Sequence, residues 1–348
     1  MSGAFTITRG TRVSRIVAVG AFAALAALAC APLWAQASSL NLLTQIFAYV
    51  ALATMWNLLA GFSGLVSVGQ QAYVGIGGYA LFALTIVGGL HPLVALVAAG
   101  VIGGLIAIPV AGLLFRLRGA YFAIGSWVVA EVFRLLASQI SSLGGGSGTS
   151  LPARIVTGMA DGRQAREFMI YWTGLALVMV VLGLTILLLR SRWGLALRAI
   201  HHNELAARSN GVEVTRIKLL VYVVAGFGTA MAGALIFLQK LRISPDAAFS
   251  VNDWTAFVIF MAVIGGVGRI EGPIIGATLF FFLRQALSDL GSVYLMMLGL
   301  VAIVIMLRAP RGVAGWVADR FGFEPVPLER RLASSKPNIE SKPESAHV

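Results

Sequence analysis

Two pairs of polar residues stand out in this 348-residue chain, because each pair is closely spaced and consists of side chains that can ionise. Glu131 and Arg134 stand three residues apart inside an apolar stretch, so a carboxylate and a guanidinium can face each other on one side of a helix. Ionisable side chains at membrane depth indicate a transport path, and a self-neutralising pair that fixes helix packing is an equally good interpretation. His201 and His202 are adjacent, so on a helix they point about 100° apart and cannot converge on one metal ion. The histidine pair therefore predicts no metal site.

Nucleophilic and phosphate-binding chemistry is disfavoured by what surrounds the candidate residues. Ser63 in Gly61-Phe62-Ser63-Gly64 resembles the GxSG serine of rhomboid intramembrane proteases, which makes an enzyme a rival class. Such a serine needs a histidine base at its own depth, and the four histidines lie outside the apolar stretches or at the end of one. No GxxxxGK[ST] motif occurs, so the chain does not cradle ATP phosphates itself. The single Cys30 excludes an internal disulfide. We expect a protein that is not an enzyme and has neither a cofactor nor a metal of its own.

The composition indicates that these residues belong to a membrane protein. Mean hydropathy is +0.88 and only 11% of residues are charged, which excludes an ordinary water-soluble core. Apolar runs recur with lengths that fit a hydrocarbon layer roughly 30 Å thick, crossed by about 20 helical residues. The first run also has the pattern of a cleavable signal peptide, and that alternative stays open. The predicted class is an all-α polytopic integral membrane protein with about ten transmembrane helices, near Ile16–Leu33, Leu40–Leu59, Gln70–Leu90, Pro92–Phe115, Tyr121–Ile140, Phe168–Leu189, Leu219–Leu238, Trp254–Ile264, Ile274–Leu290 and Val293–Leu307.

Lysine and arginine residues set the orientation, because cytoplasmic loops retain positive charge during insertion. With the amino terminus inside, most of the 26 Lys and Arg residues fall in inner segments and both termini are cytoplasmic. This predicts a cytoplasmic segment at residues 1–15, a transmembrane domain at residues 16–308, an inner loop at residues 190–218, an outer loop at residues 141–167 and a cytoplasmic, largely disordered tail at residues 309–348. The basic residues do not form one patch, so the predicted partner is the lipid bilayer and not a nucleic acid.

The inner loop contains the most distinctive motif of the chain. We predict one helix from Leu195 to Asn210, ended by Gly211 in the left-handed conformation, with Thr215 capping the next transmembrane helix. One face of this helix is small and only weakly apolar, which favours docking to another protein over the alternative of a helix resting on lipid. That face holds Ala196, Ala199, Ala206 and Ala207, with Asn203 and Asn210 between them, while Leu205 and Arg208 lie opposite.

Here the sequence resembles a known family. Residues 204–207 followed by Gly211 read ExAAxxxG, which resembles the cytoplasmic loop of ABC importer permeases that docks into a groove on the ATPase subunit. The longer form RAIxxxExAAxxxGxxVTRxK, over residues 198–218, resembles the branched-chain amino acid permeases of the LivM type, and blocks at residues 64–80, 121–136 and 265–277 agree. The resemblance implies ATPase-coupling roles for Arg198, Ala199, Ile200, Glu204, Ala206, Ala207 and Gly211.

The resemblance also implies a function and a set of partners. The chain would be a transmembrane permease subunit of a bacterial ABC importer in the cytoplasmic (inner) membrane. Its expected partners are a homologous second permease subunit, two ATPase subunits that bind ATP and Mg, and a periplasmic substrate-binding protein. Branched-chain amino acids are the expected substrates, with urea and aromatic acids as alternatives for the same permease type. An ion-coupled secondary transporter is the other alternative, but it would need several buried carboxylates and only Glu131 qualifies.

Polar and glycine-rich positions at membrane depth indicate a candidate translocation path. Irregular or closely packed backbone in a membrane is tolerated mainly where it lines a cavity or touches another helix. Helix packing is the alternative interpretation, and Gly268, Gly272 and Gly276 have the fourth-residue spacing that suits it. The outer-loop sequence LGGGSGTSL departs from the family pattern in lacking Asn, so it supports no substrate inference. The candidate path residues are Gln70, Gln71, Tyr73, Glu131, Arg134, Gly265 and Gly266.

Overall fold

The computed structural model describes residues 5–8, 12–160, 162–287, 293–309, 311–321 and 331–334, and these are mainly helical. Within them, seven helical segments are long and apolar enough to cross a membrane, by length and composition. The predicted class, an all-α polytopic membrane protein, is confirmed. The seven segments are Ala37–Phe62, Pro92–Leu114, Ala120–Ser138, Arg163–Arg190, Val214–Lys240, Pro245–Gly265 and Met296–Ala318.

The other three predicted spans correspond to shorter apolar helices. The span predicted at 70–90 is a 17-residue helix, and the span predicted at 274–290 is a 15-residue helix that ends just before residues outside the description. The first predicted span has its apolar stretch at Val19–Leu33. The number ten therefore stays a prediction. In chain order the helices are α1 (Arg12–Cys30), α2 (Ala37–Asn57), α3 (Gln70–Ile86), α4 (Pro92–Leu114), α5 (Ala120–Ser138), α6 (Ala153–Gly158), α7 (Arg163–Arg190), α8 (Arg192–His202), α9 (Glu204–Ser209), α10 (Val214–Lys240), α11 (Pro245–Ala248), α12 (Phe257–Gly265), α13 (Gly272–Ala286), α14 (Val293–Arg308) and α15 (Gly312–Phe321).

Helix α10 is the centre of the bundle, because small residues let it approach α2, α3 and α4 closely. A Cβ atom at Gly77 of α3 would overlap the backbone of Ala230, and one at Gly103 of α4 would overlap the side chain of the same alanine. A Cβ atom at Gly233 would likewise overlap Val74 of α3. Helix α5 lies at the edge of the bundle and exposes most of its apolar side chains.

The glycine-rich segment that follows α12 is a tight helical hairpin. A Cβ atom at Gly265, Gly272 or Gly276 would overlap backbone on the opposite side of the hairpin. Gly266 has a φ of 123°, a conformation that L residues with a side chain rarely adopt. The structure therefore places the predicted path residues Gly265 and Gly266 in a packed turn, as the helix-packing interpretation expects.

The described chain also contains two π-helical turns, three short 3₁₀ turns and two short sheets. The π-turns are Leu58–Phe62, which continues α2, and Asn252–Ala256, which precedes α12. In the predicted outer loop, β2 (Thr149–Ser150) pairs with β3 (Arg242–Ile243), which joins this loop to the segment between α10 and α11.

The ends of the chain pair with each other. Strand β1 (Phe5–Thr8) lies antiparallel to β4 (Arg331–Ser334), with Phe5 opposite Ser334. Helix α15 lies within the predicted tail and packs against α12 and α13. The sequence interpretation did not anticipate this helix. Residues 335–348 lie outside the described residues, so disorder there stays a prediction.

Candidate coupling and translocation sites

The inner loop contains two helices and not the single one predicted. Helix α8 ends at His202 and α9 begins at Glu204, because Asn203 adopts extended angles of φ −158° and ψ 107°. The Asn203 side chain accepts a hydrogen bond from the Ala206 N–H at 3.0 Å and caps α9. Asparagine prefers this capping role over a helix interior, and helix propensity alone missed the break. The prediction that the small residues share one continuous face is therefore wrong.

At the end of the loop, the helix ends at the predicted glycine, but the next helix does not begin as predicted. Gly211 has a φ of 81° and donates to the Arg208 carbonyl, while the Val212 N–H donates to the Ala207 carbonyl, as at a glycine-terminated helix. Helix α10 then begins at Val214 without a side-chain cap. The predicted capping role of Thr215 is therefore wrong.

Glu204 fastens α9 to the start of α10. Lys218 Nζ donates to Oε2 of Glu204 at 2.7 Å, and Arg208 Nη2 donates to Oε1 at 2.8 Å. The hydrogen bond from Lys218, assisted by that from Arg208, holds the pKa of the Glu204 carboxyl below its usual range. Both carboxylate oxygens are thus engaged within the chain, whereas the sequence interpretation expected Glu204 to serve an ATPase contact.

Some of the predicted coupling residues are buried against the bundle, and others are exposed. The chain buries the predicted coupling residues Ile200 and Ala207, which are 4% and 3% exposed. Ala199, Ala206 and Gly211 are exposed, and Arg198 is half-buried. Leu205, expected to lie away from the docking face, is 77% exposed on α9. We define the exposed surface of α8 and α9 as the loop face; it contains Trp193, Leu195, Ala199, Leu205 and Ala206.

A buried asparagine joins the loop to the glycine hairpin. Asn57 is 2% exposed; its Nδ2 donates to the Arg269 carbonyl at 2.7 Å and its Oδ1 accepts from the Gly268 N–H at 2.8 Å. Helix α8 contacts the π-turn that follows this asparagine. The sequence interpretation missed Asn57, although an amide at the end of an apolar run is a signal for a buried hydrogen-bonding role.

The predicted path residues of α3 lie in the interior of the bundle. Gln70 Nε2 donates to Thr229 Oγ1 of α10 at 2.8 Å and to the Leu52 carbonyl of α2 at 3.3 Å. Gln71 Oε1 accepts a hydrogen bond from Thr255 Oγ1. Tyr73 is buried, and its ring meets Tyr222 of α10 edge to face at 5.8 Å. In the described chain these residues connect helices, and their role in a translocation path stays a prediction.

The predicted pairing of Glu131 with Arg134 is confirmed, and it includes a third residue. Arg134 Nη2 and Nε donate to Oε1 of Glu131 at 2.6 and 2.9 Å, and its Nη1 donates to Oδ1 of Asp246 at 2.8 Å. The Glu131 side chain is 48% exposed and that of Asp246 is 84% exposed. We call these three residues the outer ion cluster. Asp246 follows Arg134 by 112 positions, so only the packing of α11 on α5 could bring it here.

A bundle of long apolar helices, joined by buried amide and hydroxyl contacts and carrying a basic loop held to the bundle by ion pairs, is that of a polytopic membrane protein. The family described as branched-chain amino acid transport system / permease component matches residues 38–309. The chain belongs to this family, which is a transport permease component and not an enzyme.

Curated relatives include permeases of two kinds. The chain is 30% identical over 309 residues to the high-affinity branched-chain amino acid transport system permease protein LivM of Salmonella typhimurium, covering 81% of this chain and 71% of that protein. A probable LivM of Methanocaldococcus jannaschii is 24% identical, over 71% and 76% of the two chains. The ribose import permease protein RbsC of Haemophilus influenzae is 34% identical over a shorter stretch, 32% of this chain and 36% of that protein. No solved structure matches the chain.

Proposed function

We propose that the chain is a transmembrane permease subunit of a bacterial ABC importer and translocates branched-chain amino acids or related small polar solutes. The family and the LivM relatives support this role. The observation that carries the proposal is the loop face, an exposed apolar surface on short helices fastened to the bundle by Glu204. In this proposal the loop face docks on a separate ATPase, which binds ATP and Mg, and this chain holds no cofactor.

The loop face is more apolar than the sequence predicted, so its composition suits either a protein interface or a lipid surface, and the family favours the protein. Leu205 and Leu195 are 77% and 71% exposed on a loop that also carries Arg192, His201 and His202. Apolar side chains at the centre of a protein interface, rimmed by polar ones, supply most of its affinity. Because α9 is tied to α10 and α8 contacts the π-turn after α2, a displacement of the loop face would be transmitted directly to the bundle centre.

The exposed side of α5 supports a homologous second permease as the partner within the membrane. It combines large apolar residues with Glu131, and a carboxylate facing lipid is costly. A path between two permease subunits would give this carboxylate a polar environment. The apolar residues of this side include Tyr121, Ile124, Val128, Val132 and Leu135.

The proposed topology places the chain in the bacterial inner membrane with about ten crossings and both termini cytoplasmic. The pairing of β1 with β4 supports a common side for the two ends. Residues 1–15 and 309–348 would then be cytoplasmic, and residues 16–308 would form the permease domain. The short sheet of residues 149–150 and 242–243 would lie on the periplasmic side, where a substrate-binding protein would dock.

A pull-down at matched membrane abundance tests the ATPase contact. We expect Leu205→Asp and Leu195→Asp to accumulate normally and to lose most ATPase capture, because a charge replaces an exposed apolar contact. Leu205→Met keeps an apolar side chain of similar volume and should retain capture. Full capture by both aspartate variants would contradict docking at this face. Ion-gradient-driven uptake by the chain alone in liposomes would instead support a secondary transporter.

A further inference from the structure

The outer ion cluster carries more negative charge than its internal pairing neutralises. Nε, Nη1 and Nη2 of Arg134 are all engaged with the carboxylates of Glu131 and Asp246. Within the described chain, Oε2 of Glu131 and Oδ2 of Asp246 accept no hydrogen bond. Two carboxylates and one guanidinium leave a net charge of −1 on the cluster. The cluster can therefore accept a cation and has little to offer an anion.

A buried hydroxyl without a partner lies on α3, which contacts the helix that carries Asp246. Tyr79 of α3 is 6% exposed, and its hydroxyl has no hydrogen-bond partner among the described residues. Its ring stacks on Phe249 at 6.1 Å, three residues beyond Asp246, and the Asp246 carboxylate acts on it electrostatically. Helix α11 contacts both α3 and α5, so these side chains converge from three elements. A buried hydroxyl left unpaired is unfavourable, which makes a ligand group its natural partner.

We propose that the outer ion cluster, with Tyr79, binds the primary ammonium group of a zwitterionic amino acid entering the transport path. This inference rests on the proposed function and assigns one recognition group within it. An ammonium brings one positive charge and three donors, and the site offers two open carboxylate oxygens and, once ligand entry uncovers it, the buried Tyr79 hydroxyl oxygen. The ligand's own carboxylate would be repelled by the net charge of −1 on the cluster.

In this proposal the cluster binds amino acids in preference to neutral solutes. A sugar or urea has no charge to neutralise the cluster, so it would leave the excess carboxylate uncompensated. Part of the chain is related to ribose permeases, and the cluster then distinguishes an ammonium-bearing substrate from a polyol. The chemistry is that of ion pairing, and no covalent step is involved.

The first test uses the unmodified protein. Binding of radiolabelled L-leucine is measured on the purified permease–ATPase complex in nanodiscs without the substrate-binding protein. Two competitors each keep half of the zwitterion: 3-methylbutylamine retains the ammonium and 4-methylpentanoate retains the carboxylate. We expect the amine to compete at least about tenfold better, as for a charge-assisted hydrogen bond. Equal competition, the opposite order, or no leucine binding would overturn the proposal.

The second test removes the charges and preserves the shape of the cluster. The triple variant Glu131→Gln, Arg134→Gln, Asp246→Asn keeps hydrogen-bonding side chains and has no net charge. We expect leucine binding to weaken about tenfold and the preference for the amine to disappear. Arg163→Gln, which removes the separate ion pair with Glu167 on α7, is the matched control and should keep the preference.

The outcomes distinguish this inference from the proposed function. If the triple variant keeps the amine preference, the cluster is a packing contact only and the inference fails, while ATPase-dependent leucine uptake would still support the permease. If the complete wild-type system takes up no amino acid, the proposed function fails as well. Should the triple variant accumulate poorly, the competition experiment on the wild-type complex decides the matter alone.

Discussion

Two ion clusters in this molecule use the same kinds of side chain in opposite proportions. In the inner loop, one carboxylate, that of Glu204, accepts from two cations, Lys218 and Arg208. In the outer ion cluster, one cation, Arg134, donates to two carboxylates. The first arrangement leaves no carboxylate oxygen open, and the second leaves two. A saturated cluster can only fasten elements together, whereas an unsaturated one can also take up a further ion.

Removing the cation from each cluster gives the largest expected difference. Arg134→Met leaves two carboxylates facing each other in the proposed path, and we expect leucine uptake to fall at least about tenfold. Lys218→Met leaves Glu204 paired with Arg208, and because this pair is partly exposed we expect ATPase capture to fall only about two- to fivefold. Uptake and capture are measured at matched membrane abundance. Equal losses in both variants would remove the distinction between the clusters.

Because one side of α9 packs against the bundle, substitutions at the adjacent residues Ala206 and Ala207 should affect different properties. Ala207 is 3% exposed and Ala206 is exposed. Ala207→Leu overfills the packed side of α9 and should lower stability by about 1 to 3 kcal/mol, seen as a lower thermal midpoint of the detergent-purified protein. Ala206→Leu should keep the wild-type midpoint and reduce ATPase capture, because it adds bulk to the loop face. Equal midpoints for the two variants would contradict this position of α9.

The lowered pKa of Glu204 makes the ion pairs of the inner loop depend on pH. Because this pKa is lowered by Lys218 and Arg208, the stabilisation is fully present above the ordinary Glu value of about 4.3 and is lost as pH falls through the lowered value. The protection of the α9 amides against exchange, corrected for the pH dependence of the intrinsic rate, should therefore stay constant from pH 7 to about pH 5 and fall only below the ordinary value. Glu204→Gln should exchange faster at pH 7 and lack this acid transition. An acid transition of unchanged size in that variant would assign the effect to another group.

The smallest effect is expected at Tyr79. Tyr79→Phe removes a hydroxyl that has no partner within the described chain, so abundance and thermal midpoint should be unchanged or slightly higher. Leucine affinity should fall about two- to fivefold if the hydroxyl accepts from the ammonium. Unchanged leucine affinity in Tyr79→Phe would separate Tyr79 from the cluster.

Sequence patterns predicted the features that depend on local chemistry. Apolar run length predicted the helical membrane class, and the three-residue spacing predicted the pairing of Glu131 with Arg134. Gly211 was predicted as a helix stop because few other residues adopt its φ of 81° without strain. Each of these signals involves residues that are close in the chain.

Features that depend on tertiary packing could not be predicted in this way. Asp246 joins the outer ion cluster, and Asn57 binds a turn more than 200 positions later, only because of how the helices pack. The break at Asn203 was missed for a different reason: helix propensity over the loop is favourable, and a capping side chain competes with it locally. Gln70 and Gln71 were correctly singled out as unusual in an apolar environment, but the structure uses them to join helices.

The pairing of the chain ends constrains how many times the polypeptide crosses the bilayer. Residues 5–8 and 331–334 exchange backbone hydrogen bonds, so they cannot lie on opposite sides of a membrane. A path that starts and finishes on one side must cross an even number of times. If all seven long helical segments of the described chain cross, their number is odd, and parity then requires one or all three of the other apolar helices, α1, α3 and α13, to cross as well. Site-specific labelling of residues at both ends of α1, α3 and α13, from each side of the membrane, would identify which of these helices cross it.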